Sequence, residues 1–297
     1  MESLEVLKKR ISTTQELQTL VKTMKALAAT NIRQYERAVE ALAEYDRTVT
    51  MGLQIALKLR PEETEILKPA PKQKLGAIVF GSDQGLCGQL NERIASYAIQ
   101  GMKELVSSPT TRRVLAIGTR VAGHLEDAGQ EVEEQFPVPS SKSGMTLAAQ
   151  EILVKIEEWQ TRKGLDHIVL YYHSFVSGSG YAPRTLSLLP IDLDWLHQLE
   201  QTSWPFRTLP LCTLEWERMF SLLIRQYLFV SLSRALAETL ASENATRLTS
   251  MQRAERNISQ HLDQLQGDFH QLRQTSITEE LLDIIGGFEA LTKSKKI

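Results

Sequence analysis

The sequence predicts an α/β protein with long α arms, in which the two terminal helices wind together as an antiparallel coiled coil beside one compact α/β domain. Three observations predict it. All ten prolines lie between Pro61 and Pro210, and twelve of the sixteen glycines lie between Gly76 and Gly180. These residues break helices and punctuate turns, so the chain divides into 1–60, 61–210 and 211–297. Both ends carry an apolar 3-4 spacing, and the middle alternates short apolar runs with stretches of helical period.

The N-terminal arm comes first. Leu4, Leu7, Ile11, Thr14, Gln18, Val21, Lys25, Ala28, Ile32, Tyr35, Val39 and Leu42 form an unbroken 3-4 series. Such a series is the seam of a coiled coil, here with polar interruptions at Gln18 and Lys25. In the C-terminal arm the spacing runs through Leu248, Met251, Glu255, Ile258, Leu262, Leu265, Phe269, Leu272 and Ser276. At about 1.5 Å per residue each arm is on the order of 80 Å long. A helix of that length cannot bury a stripe on itself, so the two arms pair with each other. If they meet the middle near residues 60 and 210, residue n faces roughly residue 270 − n.

The middle reads as a doubly wound, mostly parallel sheet. Leu75 to Phe80 is a short buried strand, followed by a glycine turn and a helix from Asn91 to Leu105. Arg113 to Ile117 is a second strand, with Arg120 to Ala128 as helix. Residues 146–160 have helical period, Asp166 to Tyr172 is a third strand, and Arg184 to Leu189 a fourth.

Composition bounds the function. A formal net charge of −2 gives no global attraction to nucleic acid or anionic lipid. No apolar run approaches the roughly 20 residues that span a bilayer, so direct membrane insertion is not expected. Cys87 and Cys212 are far apart and form no CxxC pair, which argues against a disulfide framework or a zinc site. The turn Gly81-Ser82-Asp83-Gln84-Gly85-Leu86-Cys87-Gly88 follows a strand, yet its GxxxGxxG spacing is neither a dinucleotide fingerprint nor a P-loop. Cys87 has no accompanying Cys-His pattern, and the histidines show no metal-ligand spacing. No catalytic residue, cofactor or metal is expected. A static coiled-coil scaffold is the alternative function, and a Rossmann-like oxidoreductase would need a cofactor fingerprint that is missing.

Two segments carry more apolar surface than one seam uses. By the facing arithmetic the N-terminus runs out opposite about residue 268, so later residues have no partner in their own chain. That tail holds Ile277, Leu281, Leu282, Ile284, Ile285 and Phe288 on more than one side. The N-terminal arm adds a second stripe, Leu17, Leu20, Met24 and Leu27. Helices apolar on several sides require burial by something else, which suggests either a helix folded back on the middle domain or, as the sharper reading, a shaft held in a socket of other subunits.

Three stretches resemble the gamma subunit of F-type ATP synthases. They are RISTTQELQTLVKTMKALAATNIRQYERA, the strand and turn GAIVFGSDQGLCGQLNERI with its S-D-x-G-L-C-G-x-x-N pattern, and the C-terminal SENATRLTSMQRAERNISQHLDQLQGDFHQLRQTSITEELLDIIGGFEAL. The resemblance implies a Rossmann-like domain beside an antiparallel coiled coil that rotates inside a ring of alpha and beta subunits. Its foot would bind the epsilon subunit and the membrane c-ring, at the cytoplasmic face of the inner (plasma) membrane, with catalysis left to beta. Lys22 and Met24 match the family's K-x-M, beside an acidic beta loop, and Arg273, Gln274, Thr278 and Glu280 match positions of polar contact with beta. Val21, Ala28, Ile32, Leu248, Met251, Ile258, Leu262 and Leu265 would form the seam. The sequence departs from the family at Gln84, Gln89, Lys25 and Asn31, and the cysteine-bearing insert of chloroplast relatives has no counterpart.

Overall fold

The computed structural model describes residues 3–61, 74–106, 111–176, 180–208 and 210–294. The side chain of Phe288, placed by the sequence in the apolar tail, lies outside the described residues. The elements in order are α1 (Leu4–Lys58), β1 (Leu75–Phe80), α2 (Leu90–Leu105), β2 (Arg112–Ile117), α3 (Thr119–Asp127), β3 (Glu134–Phe136), α4 (Lys142–Glu158), a π turn (Trp159–Lys163), β4 (His167–Val176), β5 (Gly180–Leu189), α5 (Leu193–Gln201) and α6 (Trp216–Ser294). They form two compact units, Ala29–Arg247 and the pair Met1–Ala28 with Leu248–Ile297.

The larger unit is built on a five-stranded sheet in the order β3-β2-β1-β4-β5. The first four pair in parallel, and β5 closes the edge antiparallel to β4. Successive side chains on a strand point to opposite faces, and both faces are covered. Leu75, Ala77 and Val79 of β1 join Val114, Ala116, Val169 and Tyr171 against α2 and α3. Ile78 and Phe80 join Leu115, Ile117, Ile168 and Leu170 against α4, α1 and α6. That is why β1 and β4 read as continuous apolar runs: a parallel sheet under helices has no solvent side.

Helix boundaries follow local chemistry. Ser141 caps α4, its Oγ accepting from the Gly144 N–H at 3.1 Å, and Asp192 caps α5 by accepting from the Asp194 and Trp195 amides. α4 runs out through the π turn into Gly164 at φ +61°, a left-handed terminator. The first two sequence-predicted strands lie where expected, whereas β4 continues to Val176 and β5 begins at Gly180, well before Arg184. β3 and α5 have no clear sequence signal, since Glu134-Gln135-Phe136 is too short and polar to show a period.

Between Val230 and Arg247, α6 is buried on almost every side. The stretch is rich in alanine and small polar residues, which let neighbours approach closely. Several of its polar side chains bond its own backbone: Ser242 donates to the Glu238 carbonyl, Asn244 to Leu240 and Thr246 to Ser242.

In the smaller unit the ends of α1 and α6 pack together. Leu7, Val21, Ala28, Met251 and Leu265 are buried, and Leu248, Ile258 and Leu262 are half-buried. Ile32 belongs to the larger unit and is half-buried there.

Candidate functional site

The glycine turn after β1 is a closed hydrogen-bonded knot. The Ser82 amide donates to Asn91 Oδ1 at 2.9 Å, Asn91 Nδ2 returns a bond to Ser82 Oγ at 2.8 Å, and Ser82 Oγ donates to the Gln84 carbonyl at 2.9 Å. Cys87 is buried with its sulfur against Ser82, Asn91 and the Gln84 carbonyl. Asp83 ties the turn to the next strand connections. Its carboxylate accepts from the Thr119 amide and hydroxyl and from the Val138 amide. A Cβ on Gly81 would meet Val121 at 2.4 Å and Asn91 at 2.6 Å, and one on Gly118 would meet the Ser82 backbone at 2.8 Å. The turn's polar groups are therefore occupied with its own structure.

The same turn meets α6. Arg247 Nη2 reaches the Gln84 and Gly85 carbonyls at 3.5 and 3.4 Å and pairs with the Glu243 carboxylate one helical turn back. Burial pushes the Glu243 carboxyl above its ordinary pKa, and Arg247 pulls the other way. Arg247 carries no pattern of its own in the sequence. Only the burial of both partners picks this pair out from ordinary i, i+4 surface pairs.

In the smaller unit, the polar interruptions of the seam find partners across it. Gln18 Nε2 donates to Ser259 Oγ at 3.0 Å, and Lys25 pairs with Glu255. This corrects the facing arithmetic, which put roughly residue 245 opposite Lys25. The first helix ends at Lys58 and the last begins at Trp216, rather than at residues 60 and 210. Side chains also lean toward the N-terminus of their own helix, so long antiparallel partners meet several residues beyond the nearest backbone level. The partnered part of α6 accordingly reaches further than residue 268: Phe269, Leu272 and Ser276 are still half-buried.

Beyond Ser276, every residue from 277 to 286 is exposed. Ile277, Leu281, Leu282, Ile284 and Ile285 are 47–69% exposed. Leu17, Leu20 and Leu27 are 49–59% exposed, with Met24 half-buried among them. Lys22, Arg273, Gln274, Thr278 and Glu280 are exposed in the same unit. Lys22 Nζ reaches Gln18 Oε1 at 3.5 Å, and the Thr278 hydroxyl donates to the Gln274 carbonyl at 2.9 Å. Lys22 and Met24 lie on α1, and the other four lie on the last turns of α6 around the exposed apolar run. No helix among the described residues is long and apolar enough to cross a membrane.

A family model described as ATP synthase matches residues 3–291. Curated relatives extend over the whole chain. The ATP synthase gamma chain of Acaryochloris marina is 28% identical over 98% of this chain and 100% of its own length. That of Syntrophus aciditrophicus is 25% identical over 99% and 100%.

The chain belongs to the ATP synthase gamma family.

Solved structures agree on the fold of this gamma-family chain. The matching chain in the Euglena gracilis mitochondrial ATP synthase OSCP/F1/c-ring assembly has a TM-score of 0.66 at 16% identity, covering 99% of this chain and 96% of that one. One in the Tetrahymena thermophila central stalk and c-ring scores 0.54 at 19% identity, over 79% and 99%. The S-D-x-G-L-C-G-x-x-N pattern gains a physical account here. Its Ser, Asp, Cys and Asn are the members of the knot, and its first Gly lends a carbonyl to Arg247 of α6.

Proposed function

We propose that this chain is the rotor shaft of an F-type ATP synthase, coupling transmembrane ion flow to ATP synthesis or hydrolysis at beta-subunit sites by turning inside the alpha/beta hexamer. The observation that carries the reading is the exposed apolar end of α6, Ile277 to Ile285, opposite no other described part of the chain. Surface of that kind requires a sleeve. A ring of alpha and beta subunits supplies one that holds the axis while allowing it to turn.

The partners are the alpha and beta subunits of the head, the epsilon subunit and the membrane c-ring, with no nucleic acid and no membrane insertion of the chain itself. The complex holds it as a peripheral protein on the cytoplasmic face of the inner (plasma) membrane. Bond chemistry belongs to beta, and this chain uses no cofactor or metal. Segments 1–60 and 211–297 act as the shaft and 61–210 as its globular side domain. Lys22, Met24, Arg273, Gln274, Thr278 and Glu280 contact alpha and beta, and Val21, Ala28, Ile32, Leu248, Met251, Ile258, Leu262 and Leu265 hold the two helices together.

Isolation of the native complex tests the reading. Co-purification with alpha and beta subunits, and ATP-driven rotation of a bead fixed to this chain, are the expected results. A free homodimer, or a complex in which this chain stays fixed during turnover, overturns it in favour of a static scaffold.

A further inference from the structure

Helix α4 buries one face and leaves another bare. Met145, Ala149, Ile152, Leu153 and Ile156 are packed inside. On the outer side Leu147, Glu151, Val154 and Glu158 follow one another at steps of four, three and four residues. Such steps keep side chains on one side of a helix and are the spacing of a coiled-coil seam. Leu147 is 61% and Val154 56% exposed. With Glu134 and Phe136 of β3, the edge strand of the sheet, they line an open groove of about 410 Å³. In α1 and α6 the same spacing is matched by a partner helix, whereas the α4 stripe meets none among the described residues.

Charge limits what can cover this stripe. Glu134, Glu151 and Glu158 face the groove against one cation, Lys155. Lys155 is already shared between Glu134 and Glu158, and Glu158 also meets Arg162 at 3.2 Å. Glu151 is exposed and has no ion pair among the described residues. It stands between the two exposed apolar side chains, so whatever covers them also takes water from its carboxylate. A lysine or arginine opposite offsets that cost. The chain meets the same need in its own seam, where Lys25 pairs with Glu255. A second copy of this chain would bring another Glu151 instead of a cation. An extended strand added to β3 would find only three residues to pair with, the lower limit of strand length.

We propose that the groove beside α4 docks an amphipathic α-helix of another protein, with apolar side chains against Leu147, Val154 and Phe136 and a lysine or arginine on Glu151. The stripe spans about three helical turns. So short an interface buries little surface, and the contact is weak and reversible.

Two fluorescent, helix-stapled peptides test it. One alternates leucine and lysine along a 3-4 seam, and its twin carries glutamate in place of each seam lysine. Anisotropy titration with the full-length chain should show saturable binding of the lysine peptide, at least about tenfold tighter than the twin, or about 1.4 kcal/mol. Val154→Lys should weaken the lysine peptide to a similar extent. Glu151→Lys should weaken it as well and reverse the preference in favour of the glutamate twin. Both substitutions alter exposed side chains, and melting temperatures check that the fold is kept. Leu222→Lys puts the same charge on an exposed position of α6 outside the groove and should bind as wild type. No saturable binding, equal affinity for the two peptides, or an unchanged preference in the Glu151→Lys chain overturns the proposal. An extended valine-lysine peptide that displaces the helical one at equal affinity overturns it in favour of a strand. A dimer of the chain alone that Val154→Lys dissociates overturns it in favour of a second copy.

Discussion

Gly118 stands at φ +115°, where L side chains are strained, and a Cβ there would press on the Ser82 backbone at 2.8 Å. Gly118→Ala should therefore cost about 2–4 kcal/mol, combining backbone strain with an overpacked contact that no flexible side chain can relieve. Urea unfolding of the full-length chain measures it, and a loss below the scatter of surface substitutions would mean that the turn relaxes freely. His173 on β4 gives a pH prediction. It is 3% exposed, and burial first, with Arg93 adding to it, lowers its pKa from 6.5 to about 4. The unfolded chain then binds a proton that the folded chain refuses as pH falls from 6.5 toward 4. Stability is complete above 6.5 and is lost across that window, by roughly 3 kcal/mol at its lower end. His173→Leu should flatten this limb of the pH profile, read from melting temperatures of the two chains, and parallel profiles would contradict the assignment. At this scale the sequence was partly legible. The turn motif was visible as a pattern of spaced residues. Its function as a knot between strands was not, because Thr119, Val138 and Arg247 contribute from distant parts of the chain.

Among the elements, the two long helices were the most legible, since a seam repeated over many turns leaves an unmistakable period. Their register was less so. Periodicity marks which face of a helix is buried but not which residue of the partner it meets, and the lean of side chains moved Lys25 to Glu255. The seam is also uneven. Leu265 is 3% exposed whereas Leu262 is half-buried. An aspartate at Leu265 buries an unpaired charge and should cost about 3–5 kcal/mol, with Leu262→Asp costing distinctly less because water can reach it. Denaturant midpoints for the two variants decide the order, and equal losses would place the seam differently. The Lys25–Glu255 pair, with side chains 34% and 22% exposed, is a weaker element. Lys25→Glu alone should destabilise by about 1 kcal/mol, and adding Glu255→Lys should recover most of it. A double mutant no more stable than the single one would show that the pair contributes no specificity of register. Short elements at the sheet edge, β3 above all, lay below what any periodicity can reveal.

For the molecule as a whole, the decisive feature is where self-pairing ends. The sequence arithmetic placed that point near residue 268, and burial places it after Ser276. Removing everything beyond Ser276 should therefore leave the isolated chain nearly as stable as before, within about 0.5 kcal/mol, because the described side chains from 277 to 286 are exposed surface. In the assembled enzyme the outcome should be different. If alpha and beta subunits enclose Ile277, Leu281, Leu282, Ile284 and Ile285, each contributes on the order of 1.5–3 kcal/mol of burial that the truncated shaft lacks. Assembly or coupling should then weaken while the chain alone melts normally. The polar residues around the run test a separate point. Contacts that break and re-form as the shaft turns influence rate only through the difference between rotational states. Replacing Gln274, Thr278 and Glu280 together by Ala should lower ATP hydrolysis measurably with the complex intact, and no one of the three should be indispensable, since none performs bond chemistry. ATP hydrolysis and ATP-driven ion pumping in membranes carrying each variant provide the readout. A truncated chain that assembles and pumps as wild type would remove the sleeve from the account, and a single alanine that abolished turnover in an intact complex would reopen the question of a catalytic role. The combination expected from a shaft is a change visible only in the assembly: lost grip from the apolar deletion, slowed turnover from the polar one, and an unchanged isolated chain in the first case.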